Sequence, residues 1–276
     1  MLKLAVVGKD VSKSLSPQMH AFILGALGET CEYDKISIPP AEFSARAEEL
    51  LNTYDGLNIT IPFKTEILPF LKTLRGDARA FGAVNTVLCA ERAGYNTDGA
   101  GFRLMLETDG VEVKNKKVLV LGVGGAGRSC VRTLAKSGAN VYAYGRTFST
   151  VERAYAALGG FTPLKEIPQT NFDIIVNCTG VGMHDTEGES PTVTFEGGKA
   201  EPVGENLLRD CETAVDLIYE PTQSEFLKRA AALGKKTVNG EAMLFYQAVV
   251  ADGHFLKKDI TGAAERLYRQ YREERK

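Results

Sequence analysis

The chain has no tryptophan, only three histidines and only five cysteines among its 276 residues. Cys31, Cys89, Cys130, Cys178 and Cys211 are scattered and odd in number, and no two form a C-x-x-C pair. That spacing excludes the common zinc and dithiol signatures and reads as free thiols in a reducing compartment. His20, His184 and His254 lack a His or Cys partner at ligand spacing, so no metal site is expected. No Ser-His-Asp triad suggests itself. Long apolar runs are also missing. Nothing approaches the roughly 18 residues of a membrane span, and the apolar start of MLKLAVVGKD is too short for a signal peptide. An excess of either charge is absent too: a net charge of -2 and a pI near 6.0 leave no basic footprint for nucleic acid. The expectation is a cytoplasmic protein with neither nucleic acid nor membrane as partner.

What is present is an ordinary soluble composition, 44% hydrophobic and 25% charged, in a length that suits one large domain or two modest ones. Residues 3–8 (KLAVVG) read as a short buried strand, and 17–27 as an apolar helix with Pro17 in its first turn and Ser16 as N-cap. Strand 33–38, helix 40–51 and strand 56–61 follow, in the strand-helix-strand order of a parallel α/β unit. After a helix at 99–110 a second series begins. Its opening strand, 117–122, carries the apolar run Val118, Leu119, Val120 and Leu121, which suits a strand covered on both faces. Helix 126–138, strand 140–145, helix 149–158, strands 173–179 and 213–219, and an apolar helix over 240–259 continue the pattern. A domain boundary is expected near residue 101, with the closing helices returning to the first domain.

Between the 117–122 strand and the next helix, VLVLGVGGAGRSC places Gly122, Gly124 and Gly127 in a G-x-G-x-x-G turn. A dinucleotide needs such glycines for a tight turn, for close approach of its pyrophosphate and for packing helix on strand. The N–H groups at the helix start then face the phosphates. A plain tight turn could use the same glycines, and the strand-turn-helix setting favours the dinucleotide. An NAD site carries Asp or Glu at the end of the next strand. Here YAYGRTFST offers Arg146 and Thr147, with no carboxylate before Glu152. A guanidinium suits a 2′-phosphate, so NADP is the expected cofactor.

In the first half, polar residues collect at strand ends and loop starts: Ser14 and Ser16, Asn58, Thr60 and Lys64, Asn85 and Thr86, then Asn96, Thr97 and Asp98. Singly each has a local explanation, Ser16 as a helix cap, Thr60 as a strand residue, Asn85 as a turn former, Asp98 as N-cap of a helix from Gly99. Together they fall where open α/β sheets bind ligands, beyond the carboxyl ends of strands, and they suit a hydroxylated or carboxylated small molecule. Lys64 follows Pro62 and Phe63 and precedes what reads as an amphipathic helix, where a cation opposes the helix dipole. It gains nothing locally there.

These motifs resemble the shikimate dehydrogenase family along essentially the whole chain. The S-x-S loop at Ser14 and Ser16, N-x-T-x-P-x-K from Asn58 to Lys64, A-V-N-T at 83–86, N-T-D-x-x-G at 96–101 and G-x-G-G at 122–125 stand in family order. So do N-C-T-G-V-G-M at 177–183, D-L-I-Y-x-P at 216–221 and N-G-x-x-M-L-x-x-Q-A at 239–248. The resemblance implies two α/β domains flanking a cleft, the second a Rossmann-type doubly wound parallel sheet. Residues 1–101 plus 241–276 would form the substrate-binding and catalytic domain, and 102–240 the NADP-binding domain. The implied activity is the reversible NADPH-dependent reduction of 3-dehydroshikimate to shikimate, towards aromatic amino acids, by a monomer or homodimer.

By the same resemblance Lys64 and Asp98 would be the catalytic pair. Ser14 and Ser16 would take the substrate carboxylate with Tyr219 assisting, and Thr60, Asn85 and Gln247 the ring hydroxyls. Gly122, Gly124, Gly125, Ala126, Gly127, Arg146, Thr147, Thr179 and Leu217 would hold the cofactor, with Gly240 and Met243 lining the nicotinamide side. The chemistry agrees with the first pair. Hydride transfer to a ketone builds charge on oxygen, and an ammonium held by a carboxylate can stabilise that charge and supply a proton.

Departures and rivals follow from the same residues. The family's cofactor loop usually reads Asn-Arg-Thr with a second base a few positions on. Here Gly145 precedes Arg146, and Thr150 takes the second base's place, so a weaker grip on the 2′-phosphate is expected. Competing readings are a quinate or quinate/shikimate dehydrogenase with relaxed cofactor use, a non-catalytic dinucleotide sensor, and a folate-linked dehydrogenase of similar plan. The paired serines favour shikimate over quinate, and the retained Lys64 and Asp98 disfavour a sensor. The S-x-S and N-T-D motifs do not fit the folate enzyme.

Overall fold

The computed structural model describes residues 1–168, 170–183, 189–194 and 200–275. His184, considered above as a metal ligand, lies outside them. The chain falls into two units, Met1–Gly101 with Phe245–Lys276, and Phe102–Leu244. Up to the first division the elements are β1 (Leu2–Gly8), α1 (Ser16–Ala26), β2 (Cys31–Ser37), α2 (Phe43–Thr53), β3 (Gly56–Ile59), β4 (Thr73–Leu74), α3 (Asp77–Phe81), β5 (Thr86–Leu88), β6 (Ala93–Tyr95) and the start of α4 (Asp98–Thr108). Then come β7 (Lys117–Leu121), α5 (Gly125–Lys136), β8 (Asn140–Tyr144), α6 (Phe148–Leu158), β9 (Thr162–Leu164), β10 (Ile174–Asn177), β11 (Thr192–Thr194) and β12 (Ala200–Pro202). The chain closes with α7 (Glu205–Asp210), β13 (Thr213–Asp216), α8 (Glu225–Ala232), β14 (Lys236–Val238), α9 (Glu241–Leu256) and α10 (Ala264–Glu274).

In the first unit the sheet order is β2-β1-β3-β5-β6-β4. β1 explains its unbroken apolar run by what covers its two faces. Ala5 and Val7 pack with Phe43, Ala47, Leu50 and Leu51 of α2, while Leu4 joins Leu24 of α1 and Ala251 and Phe255 of α9. Phe22, Phe245 and Tyr271 bring α1, α9 and α10 together, with Phe245 and Tyr271 centred 5.0 Å apart. A fully buried pair, His20 Nδ1 and Asp252 Oδ1 at 2.6 Å, also joins α1 to α9. Burial pushes the Asp252 carboxyl up, and His20 pulls it back.

β1 runs parallel to β2 and β3, as the strand-helix alternation predicts. β5, however, is antiparallel to both β3 and β6. These strands of three residues carry too little periodicity to be read from sequence. The second unit has the order β14-β13-β10-β7-β8-β9 with every pairing parallel, the doubly wound arrangement. β11 and β12 form a separate antiparallel pair.

Three local expectations need correction. No α-helix follows Lys64: residues 61–67 form successive turns and Leu68–Phe70 a single 3-10 turn. Pro69 cannot donate to a helix and disfavours helical backbone just before it, and Phe63 and Ile67 are drawn into the core. Ser16 does not cap α1 with its side chain but is its first residue, and its N–H donates to Ser14 Oγ at 3.2 Å. The helix read from residue 40 begins as a 3-10 turn, Pro40–Glu42, before α2. Among the described residues no helix is long and apolar enough to cross a membrane, and none of the five cysteines is in a disulfide.

Candidate active site

Backbone bonds gather the polar motifs of the first unit at one end of its sheet. The carbonyl of Lys64 accepts from Val84 N–H at 2.8 Å, Ile59 N–H donates to Asn85 O at 2.8 Å, and Asn85 N–H donates to Tyr95 O at 3.0 Å. Beside Lys64, the fully buried Phe63 ring stacks on Phe43 of α2 with centroids 4.1 Å apart, anchoring the turn from below.

On this platform Lys64 Nζ donates to Asp98 Oδ2 at 2.7 Å, and Asn85 Nδ2 donates to Asp98 Oδ1 at 2.8 Å. Asp98 opens α4, where the helix dipole favours a negative group, and its own N–H donates to Asn96 Oδ1 at 3.1 Å. Both carboxylate oxygens are thus engaged. The Lys64 ammonium has three donors, and its side chain keeps 22% exposure, so it can reach a bound molecule.

A buried network holds this pair. Thr97 N–H donates to Asn85 Oδ1 at 2.9 Å, and Thr97 Oγ1 donates to Gln247 Oε1 of α9 at 3.2 Å. Thr86 Oγ1 also donates to Asn85 Oδ1, at 3.0 Å, and accepts from Asn58 Nδ2 at 3.5 Å. Tyr33 OH closes the chain by donating to Asn58 Oδ1 at 2.6 Å, and burial pushes its hydroxyl well above the usual range. Satisfied networks of this kind fix side-chain geometry. Asn85 spends both its N–H donors inside it, on Thr97 and Asp98. Ser14 Oγ donates to Ser16 Oγ at 3.1 Å, and Thr60 is held at the end of β3 by its N–H on Val7 O. Tyr219 belongs to the second unit, where burial raises its hydroxyl.

In the second unit Gly122 has φ +91, and a side chain on Gly127 would put its Cβ 2.1 Å from Gly122 O. Helix α5 therefore packs directly on the turn. Gly124 and Gly125 are exposed, with open space where a Cβ would stand. That leaves the N–H groups at the start of α5 accessible to an anion. Ala126 follows in α5, and Thr179 Cγ2 lies 3.0 Å from the Cβ position of Gly122. Arg146 and Thr147 are exposed at the end of β8, as the sequence suggests. Arg153, which no sequence motif singles out, donates from Nη2 to Thr150 Oγ1 at 3.2 Å. The signal is helical: three residues apart on α6 means one face. Gly240 sits against the Leu217 segment, its N–H donating to Ile218 O at 3.1 Å, and Met243 is buried nearby in sequence at the start of α9. Among the described residues no group of three or more His, Cys, Asp or Glu could hold a metal ion.

Residues 6–87 match the family model of the shikimate dehydrogenase substrate binding domain. A curated shikimate dehydrogenase (NADP(+)) from Thermus thermophilus is 36% identical over 257 residues, covering 91% of this chain and 91% of that protein. The chain belongs to the shikimate dehydrogenase family. A second member, shikimate dehydrogenase (NADP(+)) of Carboxydothermus hydrogenoformans, is 34% identical over 261 residues, 89% of this chain and 88% of that one. Among solved members, shikimate 5-dehydrogenase of Thermus thermophilus, crystallised with NADP(H) and shikimate, has a TM-score of 0.81 at 34% identity. The match covers 98% of this chain and 99% of that one. The family read from the ordered motifs is thus the family found, and its Rossmann-like fold is the one observed.

Proposed function

We propose that this chain catalyses the reversible NADPH-dependent reduction of 3-dehydroshikimate to shikimate, with Lys64 and Asp98 as its catalytic pair. The observation that carries the reading is the Lys64–Asp98–Asn85 constellation, at 2.7 and 2.8 Å, in a member of this family. NADPH supplies the hydride, and in the reverse direction NADP takes it. Lys64 Nζ donates to the carbonyl oxygen, balances the charge that grows on it and delivers the proton. Asp98 Oδ2 holds the ammonium in line, and after transfer the neutral amine takes its replacement proton from solvent. Asn85 and Asn96 hold Asp98, and Asn85 would reach a ring hydroxyl by exchanging one of its internal bonds. Ser14 and Ser16 are paired for the substrate carboxylate, with Tyr219 as a further donor, and Thr60 and Gln247 serve the ring hydroxyls.

The second unit fits NADP. Open backbone at Gly124 and Gly125 suits the pyrophosphate, and Arg146, with Arg153 one helical turn beyond Thr150, suits the 2′-phosphate. Arg153 restores the second cation that Thr150 lacks. Thr147, Thr179, Leu217, Gly240 and Met243 complete the cofactor set. A cytoplasmic location and a monomeric or homodimeric state belong to the same reading.

Adding 3-dehydroshikimate to the purified protein with NADPH should remove the reduced-nicotinamide absorbance at a rate proportional to protein; no loss would contradict the proposal. The cofactor half has its own test. Arg146→Ala should raise KM for NADP by roughly ten- to a hundredfold, the worth of a lost charge-assisted bond, and leave KM for NAD near its parental value. An unchanged NADP/NAD preference would remove Arg146 from the phosphate site.

A further inference from the structure

Asp216, at the end of β13, is fully buried in the second unit. Burial pushes its carboxyl up to about 6, against three donors that lower it: Ser224, the Ile218 N–H and Asn177. A buried carboxylate is costly compared with a neutral or apolar residue, so what it organises matters.

Its donors come from separate segments. Oδ1 accepts from Asn177 Nδ2 at 2.9 Å and from Ile218 N–H at 3.1 Å, and Oδ2 accepts from Ser224 Oγ at 2.5 Å. With Asn177 Nδ2 turned to Asp216, Asn177 Oδ1 faces the other way. There it accepts both the N–H of Thr179, at 3.0 Å, and its hydroxyl, at 2.7 Å. Thr179 Oγ1 in turn accepts from Val181 N–H at 3.3 Å. The carboxylate therefore selects the amide orientation that fixes Thr179. On its own loop, Leu217 N–H donates to Asn177 O at 3.0 Å, and Ile218 O receives Gly240 N–H at 3.1 Å. The approach is so close that a Cβ on Gly240 would lie 2.0 Å from Leu217 O. Ser224, with its proton committed to Asp216, accepts from Leu227 N–H as the N-cap of α8.

We propose that Asp216 is a positioning residue for the cofactor, its carboxylate holding Thr179, Leu217 and Gly240 of the cofactor site in register. The inference rests on the reading that those three residues line the cofactor. Asp216 touches neither substrate nor cofactor; it acts through Asn177 and the Ile218 backbone.

Steady-state kinetics of Asp216→Asn, Ser224→Ala and Thr179→Val, with Tm and the KM for each substrate, test it. Asparagine keeps the size but cannot accept from all three donors. KM for NADP should rise about tenfold in Asp216→Asn, with KM for shikimate near parental, and Ser224→Ala should move the same way by less. If Asp216→Asn does not fold, Ser224→Ala decides alone. A parental KM for NADP in the folded variants, with a raised one in Thr179→Val, overturns the proposal and leaves the cofactor reading standing. Both KM values rising together with a fall in Tm would mark general support of the fold and overturn it too. A parental KM for NADP in Thr179→Val would bring down the cofactor reading itself, and the proposal with it.

Discussion

Lys64→Ala should lower kcat by roughly two to four orders of magnitude, the usual contribution of a general acid–base group, while shikimate still binds with nearly parental Kd. The split follows from the geometry. Lys64 lies in a turn whose backbone is fixed by Val84 N–H and whose neighbour Phe63 is stacked on Phe43, so removing the side chain leaves the platform in place. Asp98 keeps its bonds from Asn85 Nδ2 and to Asn96. What disappears is the donor for a developing oxyanion, which matters in the transition state more than in the ground state. Steady-state kinetics and shikimate titration by calorimetry measure the two quantities. A loss of binding with unchanged kcat would make Lys64 a mere substrate anchor.

Gly127→Ala should severely damage the glycine turn of the second unit. Its Cβ would lie 2.1 Å from Gly122 O and 2.9 Å from Gly122 C, both backbone atoms, so α5 must move off the glycine turn. Overpacking of this kind costs about 1–3 kcal/mol. A shift of the order of 1 Å at a binding turn can cost about a hundredfold in function, so NADP affinity should fall by about that factor. Gly124→Ala is the matched control. Nothing lies within 4 Å of its Cβ position, so its Tm should stay parental whatever happens to NADP. Differential scanning calorimetry and NADP titration of the two variants separate packing from phosphate approach. A parental Tm and NADP affinity in Gly127→Ala would refute the packing argument.

How much could be read in advance varied with the range of the interaction. The runs that became β1 and β7 announce strands covered on both faces, and the glycine turn announces its own strand-helix junction. The Lys64–Asp98 pair was legible only because two motifs, 34 residues apart, belong to one ordered family set. Where short strands decide, sequence says little: β5 and β6 are three residues each, yet they carry Asn85 and Asp98 to the end of β3. The helix expected after Lys64 fails because core burial of Phe63 and Ile67 and the presence of Pro69 outweigh local amphipathicity. Asp216 and Ser224 are eight residues apart in the chain, but only the packed fold turns the hydroxyl onto the carboxylate. Arg153 shows the reverse case, a helical spacing visible in the sequence whose meaning needs the loop before it.

The most direct measurement is the appearance of reduced-nicotinamide absorbance with purified protein, crossing shikimate and quinate with NADP and NAD. The highest kcat/KM is expected for shikimate with NADP, with weaker use of NAD and little or no turnover of quinate. Equal or better turnover of quinate, or no turnover of shikimate with either cofactor, would contradict it.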